Sequence, residues 1–218
     1  MHQLKRLALT ALVTCMLSAP VNAQQYRFNY SKLFTQMKNN AEEGHPDIKV
    51  AFFFQQHASS NICKIDKAWM EKEEHYEEFV IPASQELIVP LDNNLRKVAP
   101  LVYINTEEGK QCDFSMVVMT KQPLSGDVNY DQIKRLMPQM DKMLDDLGGM
   151  FSSWFSPDVI GLTLEFSDLG NGIIPVTNGR DISIVQGKAL VKLADLKPDA
   201  VLHLPKATFR TLPLVEKN

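Results

Sequence analysis

Short runs of β-branched, aromatic and other apolar residues, each cut off by Gly, Pro or Asn, fill most of this chain and leave room for few helices. Asp47 to Gln56 (DIKVAFFFQQ) is the strongest run, too short and too β-prone for a helix, and it predicts a buried strand. Ile62 to Ile65, the residues around Phe79-Val80-Ile81, and Glu86 to Val89 follow the same pattern, with Pro90 ending the last. Leu101 to Asn105 and Asp113 to Met119 are expected strands joined by a hairpin-like turn at Glu107-Glu108-Gly109-Lys110. Further strands are expected at Val159 to Phe166, Ile173 to Val176, Ile182 to Gln186, Ala189 to Leu193 and Val201 to Leu204, with turns at Gly170-Asn171-Gly172 and Asn178-Gly179.

Helical periodicity is confined to a few places. Ser31 to Glu43 carries Leu33, Phe34 and Met37 on one side, with Ser31 as the expected N-cap and Gly44-His45-Pro46 as the stop. Asp92 to Val98 predicts one turn capped by Asp92. Asn129 with Gln132 makes a capping-box signature, followed by Ile133, Leu136, Met137, Met140, Met143, Leu144 and Leu147 at three-to-four spacing. Pro138 inside this stretch predicts a kinked amphipathic helix near 130–148, or two short helices. The sum is an α+β fold: mainly antiparallel β-sheet with two or three helices. Domain organisation is expected as a leader at 1–23, a β-rich lobe with a disulfide at 24–121 and a second lobe at 122–218 after Gln122-Pro123-Leu124-Ser125-Gly126, or both lobes as one compact domain.

The beginning of the chain predicts export. Lys5 and Arg6 precede an apolar run from Leu7 to Leu17, and the small-residue exit Ser18-Ala19-Pro20-Val21-Asn22-Ala23 places cleavage after Ala23. The run is too short to span a bilayer, which predicts a periplasmic or secreted protein and not an integral membrane protein. Losing Lys5 and Arg6 moves the formal charge from −3 to −5, a sign that argues against a nucleic-acid partner. Cys63 and Cys112 then remain as a pair in an oxidising compartment without Cys-x-x-Cys spacing, and a structural disulfide between them is expected.

Several side-chain groups are candidate sites. Glu71, His75 and Glu78 would share a face only on a helix, and a solvated charge run is the commoner use of Glu71 to Glu78. Asp127-Val128-Asn129-Tyr130-Asp131 starts like a calcium loop, but Gln132 and Pro138 occupy its glycine and glutamate positions. The thioethers of Met137, Met140 and Met143 suit core packing, an adaptable groove or, least of all, Cu(I). Phe151, Trp154 and Phe155 cluster beside Ser156-Pro157 and suit either the end of a core or a recognition surface. No Gly-x-Ser-x-Gly elbow or paired histidine motif is present, so no catalytic residue, metal or cofactor is assigned.

Three stretches carry a resemblance: Pro90-Leu91-Asp92-Asn93-Asn94-Leu95, Ser152-Ser153-Trp154-Phe155-Ser156-Pro157 and Leu204-Pro205-Lys206. They resemble those of an uncharacterised secreted family of marine Gram-negative bacteria, a domain of unknown function. The resemblance implies an exported protein and transfers no functional residue. The expectation is therefore a non-enzymatic protein that binds an envelope protein or an apolar ligand, with Met137, Met140, Phe151, Trp154 and Phe155 as the groove. A periplasmic hydrolase with dispersed acidic residues is the alternative.

Overall fold

The computed structural model, which describes residues 24–57, 59, 61–148 and 158–216, begins with a strand that the apolar pattern hides. β1 (Gln25–Asn29) runs directly into helix α1 (Tyr30–Met37). Asn29, not Ser31, caps this helix: its side-chain oxygen accepts the Ser31 N–H at 2.9 Å and the Ser31 hydroxyl at 2.6 Å. The helix also stops short of Glu43, in a 3-10 turn at Lys38–Ala41. There Asn40 turns its amide to the backbone of Val50, accepting from N at 2.6 Å and donating to O at 3.0 Å, a competing use of the side chain that helical continuation does not offer.

The run expected as a buried strand is β2 (Ile48–Gln56). Successive side chains of a strand point to opposite faces, so a run this apolar needs cover on both. Val50, Phe52 and Phe54 enter the main core, whereas Ala51 and Phe53 enter a smaller cluster with Met119, Phe209 and Leu212. Further along the chain, β3 (Ile65–Lys72), β4 (His75–Glu78) and β5 (Leu101–Thr106) join β1 in one antiparallel sheet of order β1-β5-β3-β4. β6 (Cys112–Thr120) pairs with β2 over its full length, from Ile48 opposite Thr120 to Gln56 opposite Cys112.

The strands expected near Phe79–Ile81 and Glu86–Val89 do not form. Pro82 and Pro90 interrupt the segment between β4 and α2 (Asn93–Val98), and Leu87 N–H reaches Phe52 O at 2.9 Å as a single tie instead of a ladder. Leu87 and Val89 are buried all the same, which is what their apolarity signalled. Asp92 caps α2, accepting from Leu95 N–H at 3.3 Å.

β7 (Asp127–Asn129) leads into α3 (Tyr130–Gly148), where Gln132 N–H donates to Asn129 Oδ1 at 2.8 Å. α3 runs as one helix through Pro138, so the two-helix alternative does not hold. Pro138 and Lys134, whose carbonyl loses its partner, both lie on the exposed side, where solvent takes up the free acceptor. The buried face carries Ile133, Leu136, Met140 and Met143.

The remaining strands are β8 (Val159–Glu165), β9 (Gly172–Ile174), β10 (Val176–Thr177), β11 (Ile182–Ile184), β12 (Lys188–Lys192), β13 (Val201–His203) and β14 (Arg210–Val215). They form antiparallel sheets of order β12-β8-β14 and β10-β13-β7 and the pair β11-β9. Pro213 hides β14 from a pattern reading, and its edge place beside β8 is where a strand tolerates proline. Gly161 lets β12 approach β8: a Cβ there would lie 2.0 Å from Val191 O and 2.9 Å from Lys192 Cα. Both are backbone atoms that cannot rotate away, so Gly161→Ala is expected to destabilise by about 3 kcal/mol, read from the urea midpoint.

One hydrophobic cluster draws on both halves of the chain, from Tyr30, Phe52 and Ile104 to Met140, Leu162 and Leu202. At its edge Tyr26 donates its hydroxyl to Cys112 O and packs on Phe54 with ring centroids 4.5 Å apart. Burial, with Asp113 adding to it, pushes the Tyr26 phenol up to about 12. The unfolded chain releases this proton near its ordinary value of about 10. Stability from Tyr26 is therefore fully present below pH 10 and falls as pH rises to 12. Tyr26→Phe is expected to remove that alkaline component from a pH series of melts.

Candidate functional site

A cleft of about 620 Å³ opens between the disulfide-bearing end of the β2–β6 ribbon and the β12-β8-β14 sheet. Cys63 and Cys112 form the expected bond, with Cα atoms 6.4 Å apart and both residues fully buried. The bond ties the segment carrying Asn61, Ile62 and Lys64 to the start of β6, and so holds one wall of the cleft. The wall also presents Glu107 and Lys110, paired at 3.0 Å.

Register builds the opposite wall. Lys188 on β12 and Arg210 on β14 both stand directly across from Glu165 on β8, a cation–anion–cation row on one sheet face. Glu165 Oε2 accepts from Arg210 Nε at 2.6 Å and lies 2.5 Å from Nη2, while Oε1 lies 2.9 Å from Lys188 Nζ. Arg210 is 3% exposed, with its guanidinium 5.0 Å from the Phe53 ring centroid and 5.6 Å from that of Phe209. Gln55, with its amide oxygen turned toward the guanidinium, accepts from Nη1 and Nη2 at 3.3 Å. A buried charge is tolerable because each part of it has a partner: carboxylate on one edge, amide on another and aromatic faces beside it. Phe53 belongs to the smaller hydrophobic cluster, so the second face of β2 backs the Arg210 guanidinium, which itself lines the cleft.

The methionines singled out by sequence fall elsewhere. Met140 and Met143 are fully buried in the main core, and Met137 is half-buried against it. Phe151, Trp154 and Phe155 lie outside the described residues. The acidic run forms the β3–β4 hairpin, with Glu71 opposite Tyr76 and Lys72 opposite His75, which separates Glu71 from His75. Among the described residues no group of three His, Cys, Asp or Glu side chains is placed to hold a metal ion. No helix among them is long and apolar enough to cross a membrane.

Pairing of β13 with β7 and β10 brings a second constellation together. His203, within the strand expected at Val201 to Leu204, sits opposite Asp127, with Nδ1 2.7 Å from Asp127 Oδ1 and Nε2 2.8 Å from Thr177 Oγ1. The order carboxylate–imidazole–hydroxyl is that of a general-base relay. Its setting is not: the His203 and Asp127 side chains are 43% and 71% exposed, and none of the three residues lines the cleft. On an open antiparallel face such a chain is cross-strand pairing, worth at most about 1 kcal/mol per pair.

Glu165 and Arg210 were missed although the chain signals them. Each is a lone charge within an apolar, β-prone run, VIGLTLEF and TFRTLPLV, and such a charge needs an opposite partner if both strands are buried. Their sequence separation hides the pairing until β8 and β14 are placed side by side.

A family model described as "Protein of unknown function (DUF2987)" matches residues 22–166, two thirds of the chain. No curated protein and no solved structure matches it.

Proposed function

We infer, for a chain that belongs to the DUF2987 family of proteins of unknown function, an exported binding protein of the cell envelope that holds a small ligand in the cleft between its disulfide-bearing wall and the β12-β8-β14 sheet. The observation that carries this reading is the cleft itself, floored by a fully partnered buried ion pair on rigid strands. Its volume lies within the range of about 300–1,000 Å³ in which small ligands are held. Export rests on the leader pattern at 1–23, and a structural disulfide suits an oxidising compartment. The absence of an elbow or paired catalytic motif in the sequence favours binding over turnover. Met137 and the aromatic segment Phe151, Trp154 and Phe155 remain candidates for a second contact surface, toward an envelope protein or an apolar ligand. A hydrolase is the second reading, and only the Thr177–His203–Asp127 chain favours it.

Native mass spectrometry of the protein recovered from the exported fraction tests the proposal. The expected result is a chain beginning at Gln24 that carries a non-covalent small-molecule adduct, released on unfolding. A chain that keeps Met1, or one without any adduct, would count against it. Ester hydrolysis abolished by His203→Ala would move the assignment to the second reading.

A further inference from the structure

Among the charged side chains of the cleft, one set is out of balance. On the disulfide-bearing wall Glu107 pairs with Lys110, and Lys64 pairs with Asp66 at 2.7 Å. Asp168, at the rim, is 80% exposed and faces Lys206 at 3.4 Å. At the floor, however, the single carboxylate of Glu165 serves both Lys188 and Arg210. That row carries a formal net charge of +1, two cationic side chains against one carboxylate. The surrounding chain is acidic, −3 overall. A local excess of positive charge against the aromatic walls of a concave site attracts anions more strongly than the same charge spread on a convex surface.

Reach decides how the charge is used. Arg210 is locked by Glu165, Gln55 and the two Phe rings. Lys188 is 48% exposed at its side chain, with its ammonium 2.9 Å from Glu165 Oε1. It lines the cleft and offers N–H donors there, with Arg210 behind as a fixed field. Asn61 and Gln186 line the same cavity, and their amide side chains suit hydroxyl or amide groups on the uncharged part of a ligand.

From this geometry we propose that the cleft takes a small organic anion whose carboxylate or phosphate lies on Lys188, over the buried Arg210–Glu165 pair, and whose polar body meets the amides of the facing walls. This rests on the reading of the cleft as the binding site. It names the ligand's charge and class.

Three probes on one scaffold separate the possibilities: glucuronate, glucose 6-phosphate and glucose, each titrated calorimetrically into the full exported chain at low ionic strength. At least one anionic probe is expected to bind ten times more tightly than glucose, and to lose at least tenfold with Lys188→Gln and more with Lys188→Glu. Lys192→Gln, on the same strand but outside the cleft, should change affinity less than twofold. Preference between the two anionic probes identifies the head group as carboxylate or phosphate. Glucose binding as well as both anions, no response to any probe, or equal effects of Lys188→Gln and Lys192→Gln would overturn the proposal. Site-specific photolabelling from the cleft wall does not depend on ligand charge. An adduct there with a failed titration would refute the anion and leave the binding site standing.

Discussion

Arg210→Ala should destabilise the fold by about 3–5 kcal/mol, the penalty expected when one partner of a buried ion pair is removed and the other is stranded. Glu165 is 6% exposed and accepts the Arg210 Nε–H at 2.6 Å, so removing the guanidinium leaves a largely desolvated carboxylate without its buried counter-charge. Glu165→Ala should be at least as costly, since it leaves Arg210 without its carboxylate beside Phe53 and Phe209. Replacing both at once with apolar residues, Glu165→Leu with Arg210→Met, should recover most of the loss, because desolvation of two charges nearly cancels their attraction. Urea unfolding of the three variants checks this through the coupling energy. Single losses below 1 kcal/mol would mean that the pair is not desolvated. The restored double variant would then be a folded protein that keeps Lys188 but lacks the buried ion pair beside it.

The second large effect belongs to the disulfide. Cys63→Ala with Cys112→Ala should lower stability by about 2–5 kcal/mol, which for a chain of this size is about 4–20 °C in the melting temperature. The bond closes a loop of sequence separation 49 and both sulfurs are buried, so the effect has an entropic part in the unfolded chain and a packing part in the fold. Hydrogen exchange should show where the cost falls. Protection should drop at Cys63 N–H, which donates to Phe54 O at 2.8 Å, and at the neighbouring backbone of Asn61–Lys64. An unchanged melt would show that the β2–β6 ladder alone holds this wall.

How much the chain discloses in advance depends on whether the signal is local. β2 was legible because an unbroken apolar run allows few alternatives, although its division between two cores was not. α3 was legible from periodicity and from the Asn129 cap, and Pro138 misled only about continuity, since an exposed carbonyl costs little. β1 was hidden because Gln25, Arg27 and Asn29 face outward and interrupt the apolar pattern, while β5 supplies the pairing. Segment 79–92 shows the reverse error. Apolarity there reports burial of Leu87 and Val89, not a ladder. The candidate site was the least legible part. Lys188, Glu165 and Arg210 meet through strand register, and so do Asp127, His203 and Thr177. Register is set by the whole sheet and leaves no mark in the spacing of residues along the chain.

A ligand held in the cleft should be trapped there by a photoreactive side chain and not by one placed elsewhere on the surface. One replaces Ser167, exposed on the cleft lining, and the other replaces Ile173, 59% exposed on β9 and away from that lining. Each variant is irradiated in the living cells that produce it, and the purified chain is weighed. The account predicts a covalent adduct of one defined mass at position 167, absent at 173 and lost when Lys188→Glu is added. Equal labelling at both positions, or an adduct at 173 alone, would contradict it.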